Sequence, residues 1–400
     1  MVAGDAIGML KPTDYRSELE RIKRTIAELQ ESALAPTTDT DKATTYVSSL
    51  YQRAVLTGNL AALEAAETAI DEAIRQVRLP GDLYFLKAKL AFQLHRLADA
   101  RRSLAAVPSL LTSPEGRALQ ADLDFQAGRY QQAKAGYQSV LADNRTWDNL
   151  ARLAHVEAKL GDPALADRLY WEAQDELTAK EMRSFAWVEL QRGLIDLAHG
   201  RHEQAAAHYR RADQAYSGYW LVAEHMAELL AAQGEIAEAA ARYEDIVAEV
   251  PRPELQQALS QLYTMLGMHS RAKSYRVMAR AAYLQSARRG GVHYYHHLAD
   301  FYADVVEDGA EALAWARKDI ALRENFSTQA ALAWALYRCG QHAEAVEAID
   351  RALASGVKDA HLLSQAATIY HAAGRTDDGD RCLQMATAIN PHHGGFHIHR

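Results

Sequence analysis

Histidine is the residue whose number and spacing could do chemistry in this 400-residue chain, which contains 17 of them. The stretch HYYHHLADFYAD (293–304) places His293 and His297 one helical turn apart, and likewise His296 and Asp300. Side chains at this spacing share a helix face, so the imidazoles could bind zinc, nickel or copper. We therefore predict weak metal binding at His293, His296 and His297. The simpler alternative is that these rings form hydrogen bonds between neighbouring helices or line a groove.

A second group of histidines ends the chain, in HHGGFHIHR (392–400). A short histidine-rich tract is a compositional indication of metal binding, although an unstructured tail explains it more simply. The two cysteines, Cys339 and Cys382, exclude a disulfide framework and favour a reducing compartment. Isolated free cysteines usually behave as small buried apolar residues, so we assign them no redox role.

Motifs of the common enzyme classes are missing from the sequence. It has no glycine-rich phosphate loop, no GxSxG nucleophile elbow, no His-Glu-x-x-His motif and no paired CxxC motifs. Carboxylates are plentiful, but at this density on helices most are solvated or paired with a residue four positions away. We expect no catalytic residues and no cofactor.

Charge and hydropathy limit the kinds of partner and the cellular locations that we expect. A net charge of −8 is the opposite of the basic surplus that nucleic-acid-binding proteins carry. No apolar run reaches the roughly 18 residues that a membrane span requires. The first 14 residues lack the basic start and long apolar stretch of a signal peptide. We therefore expect a cytoplasmic protein, or a periplasmic one if a signal peptide has been removed.

A repeat of about 34 residues organises most of the chain. A glycine or its substitute closes each helical run at Gly58, His95, Gly128, Gly161, Gly200, Gly234, Gly267, Glu307, Gly340 and Gly374. Six of the nine spacings lie within one residue of 34. Glycine suits the left-handed conformation just past a helix end.

Residue types recur at fixed distances after these turns. Five residues on stands a small residue: Ala133, Ala166, Ala205, Ala239, Ala272 or Ala345. Four residues further on stands a larger one: Tyr137, Tyr170, Tyr209, Tyr243 or Ile349. These offsets put both on one helix face. The small residue lets two helices approach closely, and the larger one fills the space towards the next pair.

This pattern resembles the tetratricopeptide repeat (TPR) family over about residues 42–391, because 34 residues is that family's period. The resemblance implies an all-α fold, a right-handed superhelical solenoid of about nine to ten helical hairpins. Each hairpin would bury the apolar face of its neighbour. Gly379 replaces the close-packing alanine in the last unit, so that end should be less stable.

The repeat divides the chain into three parts: an N-terminal helix and linker (1–41), the superhelix (42–391) and a histidine-rich tail (392–400). Apolar residues at Leu19, Ile22, Ile26 and Leu29 predict an amphipathic first helix, which we expect to cap the first repeat. Residues 35–41 are predicted to be a linker. Three long spacings put extra residues near 75–80, 176–183 and 281–292. We interpret them as lengthened helices or loops, with a hinge as the alternative.

In the TPR family the first helix of each hairpin lines the concave surface and contacts the ligand. The resemblance places a ligand-binding groove at Arg152, His155, Lys159, Trp187, Gln191, Glu224, His225, Glu228, Glu254, Gln257, Gln261 and Trp334. This strip runs from basic to acidic, with Trp187 as its best anchor. The lysine and asparagine pairs with which some family members clamp a peptide's C-terminal carboxylate are not found here.

The sequence as a whole favours a non-enzymatic adaptor that binds a protein or peptide in the concave groove. Two alternatives stay open. One is a metal-handling protein that uses the histidine clusters, and the other is an accessory subunit of an enzyme complex. The sequence does not indicate the oligomeric state.

Overall fold

The computed structural model describes residues 14–34, 39–78 and 80–396. Within these ranges the chain is almost entirely helical and contains no strand, which confirms the all-α prediction. Most of the predicted linker (35–38) lies outside the described residues. The side chain of Asp39 accepts a hydrogen bond from the Asp41 N–H and caps the following helix, which includes the last two predicted linker residues, Thr40 and Asp41.

Ten helical hairpins follow an N-terminal helix, α1 (Tyr15–Leu29), in the described part of the chain. The first helices of the hairpins are α2 (Thr40–Thr57), α4 (Gly81–Gln93), α6 (Pro114–Gln126), α8 (Trp147–Leu160), α10 (Met182–Ala198), α12 (Trp220–Ala232), α14 (Pro253–Met265), α16 (Tyr295–Asp300), α18 (Phe326–Arg338) and α20 (Ala360–Ala372). A π-helical turn, Phe301–Val306, continues α16.

The second helices pack against them in consecutive pairs. They are α3 (Leu60–Gln76), α5 (Leu97–Ala105), α7 (Tyr130–Asp143), α9 (Pro163–Asp175), α11 (His202–Ala215), α13 (Ile236–Glu249), α15 (His269–Arg288), α17 (Gly309–Ile320), α19 (His342–Leu353) and α21 (Thr376–Ile389). A 3₁₀ turn, Pro108–Leu111, precedes α6. The predicted superhelical solenoid of about nine to ten hairpins is confirmed.

The turn inside each hairpin depends on a left-handed residue. All ten predicted turn residues have positive φ, between 59° and 101°. They include the two that are not glycine, His95 (φ 59°) and Glu307 (φ 60°). A side chain in this region carries a steric cost, which explains why glycine occupies the other eight positions.

The predicted packing positions form the core between helices. The six alanines are at most 6% exposed, and the four tyrosines at most 4%. Because alanine adds little beyond the backbone, the two helices of a hairpin lie close together, and tyrosine fills the gap beside them. This confirms the packing inferred from the repeat.

The first helix, α1, caps the array and also contacts a residue far along the chain. It packs against α2, as expected for a cap, and Ile22 and Ile26 are buried. Glu18 also accepts a 2.6 Å hydrogen bond from the Tyr216 hydroxyl, 198 residues away. The superhelix therefore winds tightly enough for its second turn to meet its start.

We call the line along which successive superhelical turns meet the seam. It joins the turn residues of hairpins one to five (Gly58, His95, Gly128, Gly161 and Gly200) to the segments around Arg252, His293, Glu324, Lys358 and Asn390. The rings of His95 and His293 are 4.8 Å apart. A Cβ added at Gly128 would lie 2.3 Å from the carbonyl oxygen of Glu324.

Side-chain hydrogen bonds support the seam. The Phe326 N–H donates to the Tyr130 hydroxyl at 2.7 Å, and the Asn325 side-chain amide donates to the Gln126 carbonyl at 3.1 Å. The indole N–H of Trp220 donates to the Leu56 carbonyl at 2.9 Å. These bonds show that successive turns of the superhelix touch each other along the seam.

The three long spacings correspond to two long helices and one loop. α3 has 17 residues and α15 has 20, while a connection at 176–181 separates α9 from α10. The prediction of lengthened helices or loops is thus confirmed, and a hinge at these places stays a prediction. Among the described residues, no helix has the length and apolarity to cross a membrane.

Candidate ligand-binding cavity

A cavity of about 520 Å³ lies on the concave side of the first superhelical turn. Most of its wall comes from the first helices α2, α4, α6, α8 and α10, and aromatic rings dominate it: Phe92, Phe125, Tyr137, Trp147, Trp187 and Tyr219. Pockets of this size take a drug-sized molecule or a few side chains of a peptide. An aromatic wall favours an apolar group as the occupant.

Two tryptophans form one side of this cavity. The ring of Trp187, on α10, meets the ring of Trp147, at the start of α8, edge to face with 6.2 Å between centroids. Trp187 also lies 6.4 Å from the ring of Tyr170. Such contacts fix the orientation of both rings. Trp187 is half-buried and lines the cavity, and its role as an anchor stays a prediction.

A charged network lies beside the tryptophans. Arg152 donates from Nε to Asp122 at 3.1 Å and from Nη1 to Asp148 at 2.7 Å. The Tyr137 hydroxyl donates to Asp122 at 2.7 Å. Burial lowers the pKa of Arg152, but the charges of Asp122 and Asp148 outweigh it and raise that pKa overall. Arg152 is therefore a fixed cation in a mainly apolar wall.

His155 contributes a neutral ring to the same wall. Its imidazole meets the Phe125 ring edge to face, with 5.5 Å between centroids. Burial, and secondarily the charge of Lys159, lowers the pKa of His155 to about 4, so the ring is uncharged at pH 7. Lys159 itself is exposed and is not among the residues that line the cavity.

The predicted acidic end of the groove is buried, which corrects the sequence analysis. Glu224, His225 and Glu228 are only 1%, 4% and 0% exposed. Nδ1 of His225 lies 3.5 Å from Glu224 and 3.4 Å from Glu228, and the Tyr243 hydroxyl donates to Glu224 at 3.3 Å. These side chains turn towards each other and towards α13, so the predicted open strip from basic to acidic is wrong.

Glu254 and Gln257 also contact other side chains within the fold. Glu254 is buried and pairs with Arg252, whose Nε donates to it at 3.4 Å. Burial raises the pKa of Glu254, but the Arg252 charge outweighs it and brings the pKa to about 2. Gln257 accepts a 2.9 Å hydrogen bond from the Tyr283 hydroxyl.

The remaining predicted groove residues lie apart from the cavity. Trp334 donates to Asp304 at 2.8 Å and stacks on Tyr337, with 5.0 Å between ring centroids. Gln191 and Gln261 are half-buried and do not line the cavity. Of the twelve predicted groove residues, the cavity thus brings together Arg152, His155 and Trp187.

The predicted histidine metal site is not assembled. In the part of the chain that the structure describes, only Glu224, His225 and Glu228 form a group of three or more potential ligands within 4.8 Å of one another. His293 packs on His95 across the seam, His297 stacks on the Tyr283 ring at 6.0 Å, and His296 lies 3.4 Å from Asp319. These rings serve packing and ion pairing between helices, as in the simpler alternative.

The described part of the C-terminal tail is folded. The ring of His392 lies 5.1 Å from that of His202, and Phe396 is 8% exposed in the core cluster that includes residues of α12. An unstructured tail is therefore wrong for residues 392–396. The predicted metal-binding histidines His397 and His399 lie outside the described residues.

Sequence reasoning missed most of the cavity wall, because only Arg152, His155 and Trp187 were predicted. Trp147 is the first residue of α8, a position that the resemblance does not assign to ligand binding. The only sequence signal for Trp147 is that an aromatic residue stands at the start of a helix beside the predicted groove. Leu56 and Tyr219 join the wall because the superhelix folds back on itself, which no local pattern reveals.

The comparisons with known proteins agree on the repeat. The family model described as tetratricopeptide repeat matches residues 196–262, from the end of α10 into α14. No curated protein sequence matches the chain significantly.

Two solved structures illustrate the structural likeness. A tetratricopeptide repeat protein from Parabacteroides merdae shares 17% identity and a TM-score of 0.41, covering 59% of this chain and 93% of its own. The hetero-tetramer Cut9–Hcn1 of the APC/C shares 16% identity and a TM-score of 0.43, covering 94% of this chain and 80% of its own. Residues 196–262 thus match the tetratricopeptide repeat family, and the ten described hairpins, which share one turn geometry, extend the same kind of helical repeat along the chain.

Proposed function

We propose that this protein is a non-enzymatic adaptor that holds a segment of a partner protein on its concave side. Tetratricopeptide-repeat proteins bind protein partners and are generally non-catalytic. The observation that supports a specific site is the aromatic cavity whose wall includes Trp147 and Trp187. An apolar side chain of the partner would enter this cavity as the anchor.

The cavity offers both affinity and orientation. Burying a large apolar side chain contributes about 1.5–3 kcal/mol from area alone. The edge-to-face contacts already hold the rings in place, so little side-chain entropy is lost on binding. Among the described residues, Nη2 of Arg152 has no hydrogen-bond partner, whereas its Nε and Nη1 are engaged. This group can donate to a backbone carbonyl of the bound segment and set its register.

The test replaces Trp187 in the cavity wall. Immobilised wild-type protein and Trp187→Ala would be used to capture partners from an extract of the source organism, and the affinity of the captured partner would then be measured by calorimetry. We expect Trp187→Ala to weaken binding by at least about 2 kcal/mol, which is roughly thirtyfold. Trp171 is 54% exposed and does not line the cavity, so Trp171→Ala is the matched control.

Three results would count against this cavity as the anchor site. Normal binding by Trp187→Ala, with unchanged circular dichroism and melting temperature, would exclude the cavity as the anchor site. Equal loss of binding in Trp171→Ala would show that the partner uses the convex side. A loss that accompanies unfolding would identify Trp187 as a packing residue, because it also contacts Tyr170.

A further inference from the structure

The region around α15 has a charge unlike that of the rest of the chain. No Asp or Glu occurs between Glu254 and Asp300, although six Lys and Arg residues do: Arg271, Lys273, Arg276, Arg280, Arg288 and Arg289. All six are exposed. The other residues together carry 38 Lys and Arg against 52 Asp and Glu. Residues 255–299 thus carry a local charge of +6 in a protein whose net charge is −8.

Exposed apolar side chains accompany these cations. Four of the large apolar residues that are exposed in the described chain lie here, namely Met265, Met268, Val277 and Met278, with exposures of 47–58%. Clustered exposed apolar residues often mark interaction sites. Methionine side chains are flexible and polarizable, so they adapt to the surface of a partner.

A surface groove runs beside this helix. Val247, Ala248 and Pro251 form one side, Ser274, Tyr275 and Met278 form the other, and the volume is about 610 Å³. The one acidic group in its lining, Glu244, accepts a 3.1 Å hydrogen bond from the Tyr275 hydroxyl and lies 3.4 Å from Arg271. The groove therefore offers an apolar floor beside exposed cations.

The length of α15 extends the surface. The turn residues Gly267 and Glu307 are 40 residues apart instead of 34, and α15 has 20 residues. At 1.5 Å per residue this helix is about 30 Å long. Its opposite face packs through Ala272, Ala279 and Tyr283, so the basic and methionine-bearing face is the one that remains open.

We propose that the exposed face of α15 and the groove between α13 and α15 form a second docking surface for an acidic amphipathic segment of a partner protein. Its apolar side chains would lie on Val277 and Met278, and its carboxylates would pair with the flanking cations. The groove favours a peptide over an anionic membrane, because a flat lipid surface would not fill a channel between two helices. This surface is separate from the central cavity, so it does not depend on the function proposed above.

The probe is a synthetic amphipathic helix of about 20 residues, the length of α15, with leucine on one face and glutamate elsewhere. Fluorescence anisotropy would compare it with the same peptide carrying glutamine in place of glutamate. Lys273, Arg288 and Arg289 have no side-chain partner among the described residues, so reversing all three to glutamate breaks no side-chain hydrogen bond or ion pair there. We expect this variant to weaken binding of the acidic peptide at least tenfold, and added salt to weaken the wild type.

The matched control reverses three exposed cations elsewhere, Arg168, Lys180 and Arg210, and so changes the net charge equally. It should bind the peptide like the wild type, whereas Met278→Ser should weaken binding severalfold. Three results would overturn the proposal. These are equal binding of the glutamine peptide, equal weakening by the control triple, and binding of phosphatidylglycerol vesicles without binding of the acidic peptide.

Discussion

Replacing Trp220 tests whether the seam holds the superhelix closed. Trp220 begins α12, is 8% exposed, and donates its indole N–H to the carbonyl of Leu56 at 2.9 Å. That carbonyl belongs to the last turn of α2, where a helix leaves its C=O groups without intrahelical partners. The guanidinium of Arg252 lies 5.4 Å from the centre of the indole ring. One side chain thus links two successive turns through hydrogen bonding, packing and a cation–π contact.

Two substitutions at this position separate these contributions. Trp220→Phe keeps much of the apolar contact but leaves the buried Leu56 carbonyl without its donor, which costs about 1–3 kcal/mol. Trp220→Ala also creates a cavity, and losing a core tryptophan costs about 3–5 kcal/mol in all. Urea denaturation followed by circular dichroism measures these losses. Small-angle scattering should show a larger radius of gyration for Trp220→Ala, because the two turns separate.

The exposed Trp171 supplies the comparison. Trp171→Ala should change the free energy of unfolding by less than about 0.5 kcal/mol, as is usual for surface substitutions. The reasoning fails if Trp220→Ala is destabilised no more than Trp171→Ala. It also fails if the destabilised variant keeps the wild-type radius of gyration, since the indole would then only pack within its own hairpin.

Two further predictions concern the seam. Burial lowers the pKa of His293 to about 4 and of His297 to about 3, below the ordinary 6.5, so the unfolded chain binds more protons than the folded chain between these values and pH 6.5. The free energy of unfolding should therefore be highest above pH 6.5 and lower by about 2 kcal/mol per histidine at pH 5. Urea denaturation midpoints measured across this pH range would show the decrease. The decrease should be smaller in His297→Gln. Gly128 and Gly340 both have φ of 74°, but only at Gly128 does an added Cβ meet another backbone, at 2.3 Å from Glu324. Both alanine variants should lose about 1 kcal/mol to backbone strain, and Gly128→Ala about 1–3 kcal/mol more; equal losses in denaturation would contradict the seam contact.

The hairpins could be predicted from the sequence because their determinants are local. A left-handed turn residue, a small residue five positions later and an aromatic four beyond it act within one hairpin. Even His95 and Glu307 were identified by spacing alone, although neither is glycine. These positions are constrained by backbone sterics and helix contact, which recur in every unit and therefore repeat in the sequence.

The seam and the cavity could not be predicted because they depend on many units together. Whether Asn325 meets Gln126 is decided by the sum of small rotations across almost six hairpins. Glu224 and Glu228 illustrate the same limit: their position within the hairpin suggests the concave face, but their burial depends on neighbouring helices. Trp187 lines the cavity, and the rings it meets, those of Trp147 and Tyr170, come from the adjacent hairpin.

The seam also has consequences for how this array folds and varies. In an ordinary solenoid each unit contacts only its neighbours, so terminal units fray and units are readily gained or lost. Here hydrogen bonds join residues 196–199 positions apart, which links the first half of the array to the second. Terminal fraying should be suppressed, and unfolding should approach a single cooperative event. Deleting one internal hairpin would shift every later seam partner by a full repeat, so the number of hairpins is fixed by geometry.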